Sequence, residues 1–124
     1  MSFRYHEEAR QASTYRLAQD IRDSEEYKTY HTLKESVMSD ETTAALIREY
    51  RKLQITLQMA AVSGQAADSE DMQRFSGIST LLFSKQEVSS FLMSEMRLQQ
   101  ALADIFRIVT EAADVEMPFP GVEG

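Results

Sequence analysis

Glycine and proline are nearly missing from this chain, and their scarcity decides its fold class. Residues 1–63 contain neither, and between Gln65 and Met117 a single one occurs, Gly77. Tight hairpins need residues that tolerate a positive φ or a fixed one, so antiparallel sheets have almost nothing to turn on. Long helices joined by short connections are the expected outcome. A length of 124 residues suits one core, and 43% hydrophobic with 27% charged residues is a globular and not a disordered balance. No cysteine is present, which excludes disulfides, thiolate metal sites and cysteine nucleophiles.

Five helices are expected from the periodicity, at 4–23, 25–38, 41–63, 69–83 and 85–114. The first is rich in Ala, Gln, Arg and Glu, with a narrow apolar stripe at Leu17 and Ile21. Ser24 looks like an N-cap for the second, where Tyr27, Tyr30, Leu33 and Val37 recur at three and four. Ser39-Asp40 offers the next cap. Leu46, Ile47, Tyr50, Leu53 and Leu57 then hold one face until Gly64 stops the helix as a left-handed residue. Asp68 opens a shorter helix carrying Met72, Phe75, Ile78, Leu82 and Phe83, interrupted by Gly77, where a close backbone approach is expected. Ser84-Lys85-Gln86-Glu87 reads as a capping box.

The last helix carries Val88, Phe91, Leu92, Leu98, Leu102, Ile105, Phe106 and Val109 at near-heptad spacing. At about thirty residues it would span roughly 45 Å, longer than a compact domain of this size. The expected architecture is therefore all-α, with long antiparallel helices forming a bundle that dimerisation completes. Residues 1–114 form one domain in this reading, and 115–124, holding both prolines, form a flexible tail.

Charge narrows the function. Of the net charge of −7, the half after Val62 contributes −6, from 4 basic and 10 acidic residues. Phosphate backbones and anionic membranes are disfavoured partners, and neither nucleic acid nor membrane binding is expected. With no apolar leader at Met1-Ser2-Phe3-Arg4 and no apolar run long enough to span a bilayer, the cytoplasm is the expected location.

Catalytic chemistry is almost silent. The histidines are His6 and His31, and Phe3 and Lys28 stand where a di-iron bundle would carry the glutamates of its Glu-x-x-His pairs. A calcium loop from Asp68 would put Gln73 at the glycine position and Ser79 at the bidentate glutamate. Scattered glycines cannot build a phosphate loop. No catalytic, cofactor-binding or metal-ligating residue is assigned and no cofactor is expected; a carboxylate-metal enzyme is the least supported class.

The segment Leu17-Ala18-Gln19-Asp20-Ile21-Arg22-Asp23-Ser24-Glu25-Glu26-Tyr27 resembles the L-x-x-x-I-x-x-S-x-x-Y opening of the YlbF/YmcA family. Asp40, Leu46-Ile47 and the helix around Gln54 are similar to that family's middle segment. Phe91-Leu92, Glu95, Leu98, Leu102 and Asp104-Ile105 look like its terminal helix. The resemblance covers about residues 9–113. It implies an all-α, cytoplasmic bacterial protein that self-associates and regulates competence, sporulation or biofilm formation. In some members it implies a complex with YmcA and YaaT that acts with RNase Y on messenger RNA. The best-studied branch carries cysteines tied to iron–sulfur clusters; with no cysteine here, cluster binding is not implied.

The expectation is thus a non-enzymatic regulatory or adaptor protein, a homodimer that binds YlbF/YmcA-type relatives or an RNA-processing complex. The alternative is a structural helical oligomer without a signalling partner. Phe83, Phe91, Leu92 and Met96, a cluster of phenylalanine and methionine where the last two helices meet, are the expected exposed contact ridge.

Overall fold

A computed structural model describes residues 3–114 and 116, with side chains from Glu7 onward. The described residues form five helices: α1 (Phe3–Asp23), α2 (Glu25–Met38), α3 (Glu41–Ser63), α4 (Ser69–Phe83) and α5 (Gln86–Ala113). Their ends agree with the sequence expectation to within one residue. Apart from Glu116, the expected tail 115–124 lies outside the described residues.

Local chemistry sets these boundaries. The Ser24 hydroxyl donates to the Ile21 carbonyl at 2.6 Å and accepts from the Tyr27 amide at 3.2 Å. One side chain therefore closes α1 and opens α2, satisfying a backbone group on each helix. Gly64 ends α3 at φ 75; its amide bonds to Ala61 and that of Gln65 to Ala60, the paired pattern of a Schellman motif. Asp68 caps α4 by accepting from the Glu70 amide at 2.8 Å.

Two expectations are corrected. The capping box at Ser84–Glu87 does not form. Ser84 donates back to the Leu81 carbonyl at 2.7 Å, and Glu87 accepts instead from Ser36. A tertiary partner thus outcompetes the local one, and α5 starts at Gln86. Nor does anything approach Gly77: a Cβ built there meets no atom within 4 Å.

The chain divides into two compact units, residues 32–93 and the pair of segments 1–31 and 94–124. The continuous unit holds the end of α2, all of α3 and α4, and the start of α5. Its core is Val37, Ala44, Ile47, Leu53, Leu82, Val88 and Phe91, all buried, with Phe91, Ile47 and Leu82 the largest side chains fully enclosed. Tyr50 locks α3 to α4, stacking on Phe75 at 5.1 Å and meeting Phe83 edge-on at 6.2 Å. Glu49 and Arg74 pair across the same helices at 2.6 Å, on a surface where such a bond adds about 1 kcal/mol at most.

The discontinuous unit holds α1, the start of α2 and α5 from Ser94. Its composition inside is different: among its described residues Ser94 is buried and no apolar side chain is. Every residue of α1 from Glu8 to Asp20 is exposed.

Candidate interaction surface

The discontinuous unit places apolar side chains in the open. About 100° of rotation per residue puts Leu98, Leu102, Ile105 and Val109 on one stripe of α5. Leu98 and Ile105 are half-buried, while Leu102, Phe106 and Val109 are exposed, Phe106 by 50%. Near Ser24, the end of α1 brings Ile21 against this stripe. Ile21, Leu98, Ala101, Leu102 and Ile105 line an open depression of about 230 Å³, with Asp20 and Glu26 also on its wall. Apolar walls flanked by carboxylates suit a hydrophobic side chain and repel a phosphate.

Away from this stripe Arg107 bridges Asp104 at 3.8 Å and Glu111 at 3.5 Å, beside the exposed Ile108. On α2, His31 stacks on Tyr27 at 5.6 Å. No three His, Asp or Glu among the described residues gather as metal ligands. The Asp40 carboxyl departs from its ordinary value. The Thr43 hydroxyl donates to Asp40 at 2.6 Å and holds its pKa below 3.8, helped by the Thr43 and Thr42 amides and the Lys85 charge.

The contact ridge expected from the sequence takes a different form. Phe91 is wholly enclosed in the continuous unit, so its placement on an exposed ridge is corrected: it is core. Leu92 beside it is half-buried. Phe83 is 44% exposed, with its ring edge against Tyr50. Met96 is also exposed and belongs to the discontinuous unit. Leu102, Phe106 and Val109 were legible as a helical stripe but not as a free one. The missing signal is the partner helix: α1 offers Leu17 and Ile21 and little else to cover them.

Comparison with known proteins gives this arrangement a family. The model of the family Com_YlbF, described as control of competence regulator ComK, YlbF/YmcA, matches residues 11–113. The chain belongs to the Com_YlbF family. The matched stretch includes more than half of α1 and the whole of the α5 stripe. A UPF0342 protein of Symbiobacterium thermophilum is 28% identical over 83% of this chain and 92% of its own length. One from Halothermothrix orenii is 30% identical over 77% of this chain and 80% of its own. Among solved structures, a protein of unknown function (DUF964) from Bacillus stearothermophilus superposes with a TM-score of 0.66 at 20% identity. The superposition covers 84% of this chain and 91% of that one. That likeness establishes the all-α fold. The Com_YlbF description is regulatory, and no helix among the described residues is long and apolar enough to cross a membrane.

Proposed function

We propose that this Com_YlbF member is a non-enzymatic cytoplasmic regulator that works by protein–protein recognition and self-associates through α1 and the C-terminal half of α5. The observation that carries it is the contrast inside the discontinuous unit: an amphipathic helix presents Leu102, Phe106 and Val109 to solvent, and no apolar side chain described there is buried. A second copy offering the same stripe would cover it by two-fold packing, the commonest route to a dimer. Residues 1–114 act as one working domain in this proposal. The dimer would then serve as an adaptor for related family members or an RNA-processing assembly, as the family resemblance implies.

Sedimentation velocity of the full chain tests the assembly. Dimer mass at micromolar concentration, shifting to monomer in Phe106→Glu with helicity retained, is the expected result. Monomer mass for the unaltered chain would overturn it. A dimer that captures no relative or RNA-processing protein would favour the structural-oligomer alternative.

A further inference from the structure

A second unpartnered face lies in the continuous unit, on α3. Ile55 comes two residues after Leu53, about 200° round the helix, and Met59 stands in the same relation to Leu57. Leu53 and Leu57 turn toward the core, so Ile55 and Met59 turn from it. Ile55, Met59 and Val62 are 60%, 67% and 88% exposed. Continuing the line toward the N-terminus of α3 at alternating steps of three and four reaches Lys52 and Arg48, also exposed. Arg48, Lys52, Ile55, Met59 and Val62 thus form a strict heptad seam, the spacing by which one helix accepts another along its length. Among the described residues neither Arg48 nor Lys52 closes an ion pair, and the neighbouring Glu49 is taken by Arg74.

We infer that this seam docks an acidic amphipathic helix of another protein, with apolar residues against Ile55, Met59 and Val62 and carboxylates against Lys52 and Arg48. Charge complementarity selects this occupant. α3 carries Arg48, Arg51 and Lys52 against only Glu41 and Glu49, and Arg74 holds Glu49, so an acidic partner matches the cations of the seam. A second copy does not. Paired in parallel, it would set Arg48 and Lys52 against their own equivalents. Paired antiparallel about Ile55, it would set Arg48 against Val62 and Lys52 beside Met59, and about Met59 it would leave both cations beyond Ser63, where α3 ends. The apolar part is on the order of 300–400 Å², under half of the roughly 800 Å² per partner of a stable interface. A reversible regulatory contact fits that size. The inference rests on the reading that the chain acts by protein recognition, but it uses a surface separate from the α5 stripe.

The test uses the full chain and labelled helical peptides of about three heptads. They carry leucine at three successive seam positions and glutamate at the next two, in both chain directions, with a lysine-for-glutamate control. One glutamate peptide should bind saturably. Arg48→Glu with Lys52→Glu should weaken it roughly tenfold or more, and added salt should weaken it too. Met59→Asp should abolish binding, and Met59→Ser, milder at an exposed site, should reduce it with helicity unchanged. Failure of both glutamate peptides, equal binding of the lysine control, or indifference to these substitutions overturns the inference. So does binding of phosphatidylserine vesicles in place of the peptide, or a change of sedimenting mass in Met59→Asp. A Phe106→Glu monomer that still binds the peptide supports the inference. A dimer that binds neither glutamate peptide overturns it and leaves the self-association reading standing.

Discussion

The two units of this molecule solve the same problem to different degrees. In residues 32–93, the end of α2, all of α3 and α4 and the start of α5 enclose Ile47, Leu82 and Phe91 completely, and Tyr50 joins α3 to α4 through two aromatic contacts. In the segments 1–31 and 94–124, helices of similar length leave Leu102, Phe106 and Val109 in water. The difference teaches that helical periodicity is not the same as a core. An apolar stripe becomes a core when a facing helix carries enough bulk to cover it, and α1, dominated by Ala, Gln, Arg and Glu, does not. The continuous unit encloses large apolar side chains, and the discontinuous one, among its described residues, does not.

The strongest test of that contrast compares two phenylalanines. Phe91→Ala should cost about 3–5 kcal/mol in urea denaturation, because it empties a fully enclosed site. Phe106→Ala should cost under about 1 kcal/mol at nanomolar concentration, and more as concentration rises. Equal costs at every concentration would break the comparison.

The two side-chain caps sharpen it. Ser24→Ala in one unit and Asp68→Ala in the other remove the same kind of bond, worth about 1 kcal/mol each. Hydrogen exchange should show the first fraying the junction of α1 and the start of α2, where no described apolar side chain is buried, and the second leaving α4 largely protected. Smaller still, Gly77→Ala should raise thermal stability by roughly 0.5–1 kcal/mol, since the site is helical, exposed and open around a Cβ. A loss there would mean that α4 has a neighbour at that position in solution.

The smallest effect is electrostatic, at the edge of the closed unit. The native pKa of Asp40 is lowered, so its contribution is complete above the unfolded value of 3.8 and fades as pH falls through the lowered one. Asp40→Asn should flatten that part of the acid limb in pH-dependent unfolding and leave neutral-pH cooperativity intact.

Where the fold was legible, the determinant was local. Ser24, Gly64 and Asp68 wrote three boundaries into the sequence because each satisfies backbone groups within a few residues. The capping box failed for the opposite reason: Glu87 answers to Ser36, 51 positions away. Phe91 was assigned to a ridge because spacing tells which face a residue occupies and not whether that face is covered. The α3 seam carried a strict period, but its neighbours on the other faces of α3 are the core, and burial was needed to separate the two.

The central claim is that contact between copies completes the discontinuous unit. Hydrogen–deuterium exchange of the full chain over a concentration series measures it directly. Amides of α1 and of residues 98–113 should gain protection as concentration rises, while α3 and α4 exchange at a constant rate. Protection in α1 and α5 that is independent of concentration, and already equal to that of α3 at the lowest one, would contradict it.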